Sequence, residues 1–350
     1  MRLVLFLMIM LLINVHGRSQ HDEIRKEIDK LIRYETNIDF ANTPGFIVGM
    51  IDGDSTYIFP YGSRSLEENK PILEDDIFEI GGVTKLFTAL LVESLISEHQ
   101  LNLNHSINEY LPVKNPAFDS CTVLRLLTHT AGLPKYPPRW GSLEQDSKDP
   151  YAAFSQSDLE TFYKEYHVTP GIKNEYLYSH LNYVLLSWVM QEVTQLTYTE
   201  LLIKYLPTDV AVTLLNKPTI IGYGLNIKPI PPWTTGVYGG SLGIKGSLRD
   251  LLNTCRHFFS TSSVYSSMLE TYPAKIRKEK SPIGIGWQVI PIPKNRFVFV
   301  HTGKTKGHHT FVGILPDNKT GVVVLSNSAA GSDALGINIL GMMNNNWKRK

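Results

Sequence analysis

Two apolar runs near the C-terminus constrain the fold more than any other feature of the sequence. Residues 310–315 and 321–325 flank Pro316-Asp317-Asn318-Lys319, a pattern that predicts two strands joined by a tight turn. The second run contains Val322-Val323-Val324-Leu325 without a polar residue, which is typical of a strand covered on both faces. The apolar segment 333–343 follows, and we expect it to form a helix that covers one of those faces.

The N-terminal part of the chain supplies further strands. A helical pattern over 22–33 precedes two strand patterns, 45–51 and 56–61, which flank the turn Asp52-Gly53-Asp54. Closer to the C-terminus the sequence predicts a helix over 247–259 and strands over 285–290 and 296–300. Strands therefore come from both ends of the chain.

The middle of the chain differs in its residue pattern. Helical stretches such as 122–128 and 182–194 are separated by loops rich in Pro, Gly, Tyr and Ser. The whole pattern predicts an α+β fold (an α/β sandwich), in which an antiparallel sheet is flanked by N- and C-terminal helices. Residues 18–81 and 241–350 would form this sheet-and-helix domain, and 82–240 a mainly helical insertion.

The first residues have the layout of an export signal. Arg2 precedes an apolar run from Leu3 to Val15, and the small residue Gly17 follows. This predicts a cleavable signal peptide over 1–17 and a secreted or periplasmic protein. An uncleaved membrane anchor is the alternative, but the run is shorter than the roughly 20 residues that a spanning helix needs.

The charge balance bears on the class of partner. The chain carries 34 Lys and Arg against 33 Asp and Glu, and loss of Arg2 with the signal leaves 33 against 33. A neutral chain lacks the positive potential that attracts nucleic acid or an anionic membrane. We therefore expect no nucleic-acid partner, and no membrane partner after signal cleavage.

The metal-binding residue types form no recognisable site. Cys121 and Cys255 are far apart in sequence and fit no metal-ligand spacing. In an exported chain they are compatible either with one disulfide or with two buried free thiols. His308-His309 lacks a third ligand at a recognisable spacing, so we expect neither a metal nor another cofactor.

A pair of glycines interrupts the segment FEIGGVTKLFTALLVESL, residues 78–95. The pattern predicts a short strand that breaks at Gly81-Gly82 and continues as an amphipathic helix with Lys85 in its first turn. An oxygen at position 82 would lie on the same helix face as the Lys85 amine, an arrangement that activates a serine nucleophile. Gly82 has no such oxygen. Thr84 is a poor substitute because it lies about 200° around the helix from position 82.

This segment resembles the SxxK motif of the serine β-lactamase, penicillin-binding protein and related esterase superfamily, with Gly82 in the serine's place. LLTHTAGLP at 126–134 and YGGSLGIKGSLRDL at 238–251 are similar to further segments of that superfamily. The matching segments keep the superfamily's order within a unit of approximately 40–330. The resemblance implies a serine β-lactamase/transpeptidase-like fold. His129, in the first of these segments, is interpreted as structural.

A second site segment, PGIKNEYLYSHLNY at 170–183, resembles the superfamily's YSN segment. The resemblance implies a proton-shuttling tyrosine at Tyr178 and an amide-binding asparagine at the position of His180. An imidazole does not reproduce the paired donor and acceptor of an amide, and it can become charged near neutral pH. Lys85 and Tyr178 are therefore the candidate catalytic residues, and His180 is a candidate ligand-binding residue.

A third segment, His301-Thr302-Gly303, resembles the KTG or HTG triplet on the strand that borders the superfamily's pocket. The resemblance implies that this triplet contacts the ligand and supplies a backbone oxyanion donor. Lys304, the next residue, is a further candidate ligand-binding residue. Basic residues also cluster here in sequence: His301, Lys304, Lys306, His308 and His309. The cluster predicts a basic rim that favours a carboxylate or phosphate, more strongly at lower pH. An ordinary solvated turn is the alternative.

Three functions are compatible with these residues. The first is an exported β-lactamase-related pseudo-hydrolase that cannot form an acyl-enzyme and binds a small-molecule or peptide ligand. The second is an active esterase, peptidase or amidase whose water is activated by Lys85, Tyr178 or His180, which requires a strongly lowered pKa if Lys85 is the base. The third is a structural or partner-binding domain with a filled cleft.

Overall fold

A computed structural model describes residues 20–146, 149–167, 175–213, 217–276 and 279–344. The predicted signal peptide, 1–17, lies outside these residues. Among the helices of the described ranges, none has the length and apolar character needed to cross a membrane.

The strands lie mainly towards the two ends of the chain and most of the helices in its middle. The strands are β1 (Gly45–Asp52), β2 (Ser55–Gly62), β3 (Phe78–Glu79), β4 (Gly222–Tyr223), β5 (Pro229–Ile230), β6 (Lys245–Gly246), β7 (Thr271–Ile276), β8 (Glu279–Gly284), β9 (Gln288–Ile292), β10 (Arg296–Lys304), β11 (His309–Leu315) and β12 (Thr320–Ser326). The helices are α1 (20–35), α2 (Thr84–Ser97), α3 (Val123–Leu127), α4 (Trp140–Asp146), α5 (Pro150–Ala153), α6 (Gln156–Glu165), α7 (His180–Thr194), α8 (Tyr198–Tyr205), α9 (Gly239–Leu242), α10 (Leu248–His257), α11 (Ser263–Ser267) and α12 (Asp333–Asn344).

Six strands form the central sheet in the order β2-β1-β12-β11-β10-β9, and every neighbouring pair is antiparallel. The N-terminal strand β1 pairs with the C-terminal strand β12, with Phe46 opposite Ser326. The prediction of an α+β fold with an antiparallel sheet built from both ends of the chain is confirmed. The domain boundaries at 82 and 240 stay a prediction.

Both faces of the sheet are covered, as the run at 322–325 predicted. Val322 and Val324 pack into a core with Ile24 of α1 and Leu335 of α12. The side chains that alternate with them point to the opposite face and join the larger core, which includes α2 and α10. The sheet is therefore the middle layer of a three-layer structure.

Helix α2 lies between the sheet side and the helical side of the molecule. Its residues are buried from Thr84 to Glu93, and only the last turn reaches solvent. The expected amphipathic pattern is therefore wrong, because α7, α8, α9 and α11 all pack around this helix. A 3₁₀ turn, Gly81–Val83, precedes it, so the α-helix begins at Thr84.

Two further expectations need correction. The strand predicted over 285–290 begins only at Gln288, because Gly286 takes a left-handed φ of +74° and redirects the chain. The hairpin of β7 and β8 was not predicted, since its strands contain Pro273, Pro282 and several charges that obscure the strand pattern.

Candidate functional site

The 3₁₀ turn places Gly82 directly against strand β10. A Cβ atom on Gly82 would lie 2.9 Å from the carbonyl oxygen of Thr302, which is closer than real Cβ contacts. The same atom would lie 3.5 Å from both Tyr178 Oη and His301 Cε1. Gly82 therefore faces the other predicted site residues, but a larger residue requires the turn or the strand to move.

Strand β10 presents an edge to this turn. Its pairing with β9 ends at Val300, which leaves the edge of residues 301–304 to the turn. A Cβ atom on Gly303 would lie 1.9 Å from the carbonyl oxygen of Ile80 and 3.0 Å from the nitrogen of Gly82. The small residue of the triplet thus allows the turn and the strand to lie backbone to backbone.

Lys85 is sealed inside the protein. The residue has no exposed surface, its Nζ donates a hydrogen bond to the Ser241 carbonyl at 2.9 Å, and Nδ1 of His180 lies 3.2 Å away. Burial lowers the pKa of Lys85 well below its ordinary value, and the charge of Lys135 lowers it further. The pKa is lowered, as a Lys85 general base would require, but the amine does not line the cavity described below.

Tyr178 contributes a protonated phenol to the site. Its hydroxyl is directed towards Gly82, and its ring faces Lys85, whose Nζ lies 5.2 Å from the ring centroid. Burial raises the pKa of Tyr178, and the neighbouring Tyr176 and Tyr136 add to this effect. At neutral pH this hydroxyl can donate a hydrogen bond, but it is a poor general base.

His180 is the first residue of α7, and its ring lies between the cavity and the Lys85 amine. Its Nδ1 is 3.3 Å from Ser241 Oγ in addition to the Lys85 contact, and its ring stacks on Tyr136 with centroids 5.1 Å apart. Burial lowers the pKa of His180, and the nearby charges of Lys85 and Lys135 lower it further. A neutral imidazole therefore stands between the buried amine and the cavity.

These elements border a cavity of about 890 Å³. Its lining includes the aromatic residues Tyr136, Tyr151, Tyr176, Tyr178 and Trp233, and the cationic residues Lys135, Lys304 and Lys306. Gly82, His180, His301 and Thr302 also line it, and among the residues that the structure describes no Asp or Glu does. The described lining combines positive charge with flat apolar surfaces.

The predicted basic rim is only partly formed. Lys304 and Lys306 are exposed and line the cavity. His308 is buried behind it, with Nδ1 3.2 Å from Glu79 Oε2, and His309 points to the start of α12. The placement of both histidines on the rim was wrong, because contacts with Glu79 and with Asp333 at the start of α12 keep their side chains away from the cavity.

The expected strengthening of anion binding at lower pH is also not supported at His301. Burial lowers the pKa of His301 to about 3, and the charge of Lys85 contributes. This imidazole stays neutral across the physiological range, as does His180. The positive charge at the cavity therefore comes from its lysines.

Several lining residues were not singled out from the sequence. Lys135, Tyr136 and Trp233 come from loops of the helical region and Tyr151 from the short helix α5, and the only signal in this region was an enrichment in Tyr and Pro. Only the fold brings these segments to one cavity. Their contribution is to make it aromatic and cationic.

The remaining polar candidates have structural surroundings. His129 Nδ1 accepts a hydrogen bond from the backbone nitrogen of Ser179 at 3.2 Å and contacts Asn182 Nδ2 at 3.3 Å, which fits the structural interpretation. Cys121 and Cys255 are buried free thiols, so of the two arrangements the structure has the unbonded one. Within the described ranges, no group of three His, Cys, Asp or Glu side chains could hold a metal ion.

Comparison with known proteins defines the family. The profile of the family described as Beta-lactamase matches residues 31–340 of the 350. The chain therefore belongs to the beta-lactamase family.

Individual relatives and structures agree with this assignment. A Beta-lactamase of Psychrobacter immobilis is 23% identical over 356 residues, covering 88% of this chain and 84% of the relative. Penicillin-binding protein 4* of Bacillus subtilis (strain 168) is 23% identical over 334 residues, covering 87% and 72%. A solved class C beta-lactamase has a TM-score of 0.79 at 20% identity, covering 93% of this chain and 97% of that structure, and shows the same fold.

Proposed function

We propose that this chain is an exported beta-lactamase-family protein that binds a small-molecule or peptide ligand without forming an acyl-enzyme. The ligand is anionic and carries an apolar or aromatic group. Export rests on the signal-like sequence at 1–17, and the ligand class on the cavity lining.

One observation supports the proposal that no acyl-enzyme forms. Position 82, which faces the Tyr178 hydroxyl, has no side chain, and a Cβ atom there would lie only 2.9 Å from the carbonyl oxygen of Thr302. Without a nucleophilic oxygen at this position, the superfamily's covalent intermediate cannot form there. The nearest candidate amine, Lys85, is hydrogen-bonded inside the protein.

Direct activation of water is the competing function, and the site favours it less. Lys85 does not line the cavity, and the raised pKa of Tyr178 keeps the phenol protonated. His180 remains as a base, but its lowered pKa makes it a weak one. A filled cleft, expected of a purely structural domain, does not match the cavity of about 890 Å³.

The proposal is tested with benzylpenicillin, a carboxylate that also carries a benzyl group, and with its methyl ester, which lacks the charge. We expect calorimetry to show reversible binding of the acid and weaker binding of the ester, with no hydrolysis of chromogenic ester or β-lactam substrates. A fluorophosphonate should attach nothing inside the cavity. Turnover by the wild-type protein, or a covalent adduct on a cavity residue, would overturn the non-acylating function. Equal affinity for the acid and the ester would overturn the proposal that the ligand is anionic.

A further inference from the structure

A buried carboxylate lies behind the cavity without lining it. Glu79 is only 6% exposed, and it is the last residue of β3, before the turn that carries Gly82. Its Oε1 accepts a hydrogen bond from the backbone nitrogen of Trp233 at 2.7 Å. Its Oε2 accepts one from Thr305 Oγ1 at 3.0 Å and lies 3.2 Å from His308 Nδ1.

The partners of Glu79 belong to two separate walls of the cavity. Trp233 lies in the loop after β5, and its ring is 4.7 Å from that of Tyr151, so it belongs to the aromatic wall. Thr305 lies in the turn between β10 and β11 and itself lines the cavity, between Lys304 at the end of β10 and Lys306 in the turn. These walls are more than 70 residues apart in sequence, and one carboxylate contacts both.

The hydroxyl of Thr305 extends this contact through the whole turn. Besides donating to Glu79, Thr305 Oγ1 accepts hydrogen bonds from the backbone nitrogens of Gly307 at 3.3 Å and His308 at 3.0 Å. The shape of the lysine-bearing turn therefore depends on where the carboxylate holds this hydroxyl.

The carboxylate is held in its charged form. Burial alone would raise the pKa of Glu79, but His308, the Trp233 nitrogen and the Thr305 hydroxyl outweigh burial, and the pKa lies below its ordinary value. A buried charge with donors from both walls resists movement of either wall, because separation would leave it without partners.

We propose that Glu79 is a positioning residue for ligand binding, which fixes the aromatic wall at Trp233 and the lysine-bearing turn at Thr305 relative to each other. The inference rests on the proposed binding function of the same cavity. It adds that the spacing between aromatic and cationic groups, and hence the choice of ligand, is set by a side chain that does not contact the ligand.

The first test compares Glu79→Gln with Glu93→Gln in the full chain without ligand. Glu93 is a matched control: it is also buried, accepts a hydrogen bond from Ser267 Oγ at 2.6 Å, and does not line the cavity. In Glu79→Gln we expect faster hydrogen–deuterium exchange in the peptides that contain Trp233 and 305–308, and in Glu93→Gln unchanged exchange there. Unchanged exchange in either peptide of Glu79→Gln would overturn the inference.

The second test measures affinity for benzylpenicillin and for 6-aminopenicillanate, which lacks the aromatic group. In Glu79→Gln, loss of the shared contact should lower the affinity for benzylpenicillin about five- to thirty-fold and the affinity for 6-aminopenicillanate clearly less. A merely structural defect would weaken the binding of both probes equally, and that outcome would refute the positioning role.

A second pair of variants tests the hydroxyl that Glu79 holds. Thr305→Ser should preserve the affinity for benzylpenicillin, whereas Thr305→Val should lower it. Failure of the wild-type protein to bind either probe would refute the proposed function, and the exchange data would still decide whether Glu79 joins the walls.

Discussion

The Nζ of Lys85 and the Nδ1 of His180 lie 3.2 Å apart in the protein interior, and only the imidazole reaches the cavity. The amine that the resemblance assigns to catalysis is therefore present but covered. Both groups have lowered pKa values, since burial disfavours the charged form of each. The imidazole forms part of the cavity lining, and with its lowered pKa it supplies no charge to a ligand at neutral pH.

The first prediction concerns Lys85→Met and the pH dependence of stability. Between the lowered pKa in the folded state and the ordinary value of 10.5, the unfolded chain binds a proton that the folded chain does not. Folding is therefore penalised at lower pH, and the penalty shrinks as pH rises to the unfolded pKa. Relative to Lys85→Met, the free energy of unfolding of the wild type should rise by up to about 1.4 kcal/mol per pH unit. Urea denaturation from neutral pH upwards measures this slope, and a wild type whose stability changes with pH as that of Lys85→Met does would contradict the prediction.

The second prediction concerns restoration of a nucleophile. Gly82→Ser places a Cβ atom against the Thr302 carbonyl, which should cost about 1–3 kcal/mol of unfolding free energy. Because His180 still covers Lys85, this variant should react only slowly with a fluorophosphonate. Adding His180→Asn removes the ring, and we expect labelling at least about ten-fold faster as the amine gains access to the serine. Gly82→Ala with His180→Asn has the same bulk without the hydroxyl and should not be labelled at position 82. Equal rates for the single and double serine variants would contradict the covering role of His180.

The third prediction concerns the charge of Lys304, which is exposed at the end of β10. Lys304→Ala should weaken benzylpenicillin about two- to five-fold, a modest effect because solvent screens an exposed charge. The loss should diminish with added salt and should not occur for the methyl ester. Calorimetric titrations at two ionic strengths provide the measurement, with Lys26→Ala as a distant exposed control. A loss of affinity that is the same for acid and ester would assign Lys304 a packing role instead.

The fourth prediction concerns the contact between the turn and strand β10. Gly303→Ala should destabilise the protein by about 3 kcal/mol, because its Cβ atom would lie 1.9 Å from the Ile80 carbonyl. Gly141, exposed in α4, has no atom within 4 Å of an added Cβ. Gly141→Ala should therefore be neutral or stabilising by up to about 1 kcal/mol. Chemical denaturation of the two variants compares them, and similar midpoints would rule out the tight backbone contact.

Local patterns were sufficient to predict much of the fold. Strand β12 was evident from its apolar run, and the turn Asp52-Gly53-Asp54 correctly separated β1 from β2. Such features depend on residues close together in the chain. The hairpin of β7 and β8 was missed because its ladder opposes proline and charged residues that lack the usual alternation.

The site was predicted less completely for a different reason. The resemblance located Gly82, Tyr178 and His301, and the fold brings them together. The resemblance did not indicate that His180 would separate Lys85 from the cavity. That separation depends on the size of the imidazole and on the packing around it, which the sequence does not give. His308 was misplaced because nearness in sequence does not determine the direction of a side chain.

The closeness of the Thr302 carbonyl to Gly82 has a consequence for the history of such a site. Once a glycine at this position lets the backbone settle onto the neighbouring strand, a simple reversion to serine meets a backbone oxygen rather than open space. If the site binds without acylating, as proposed, an introduced serine needs both the strand and the imidazole to move before it can react at full rate. A single substitution at position 82 would then restore the hydroxyl without restoring the space around it.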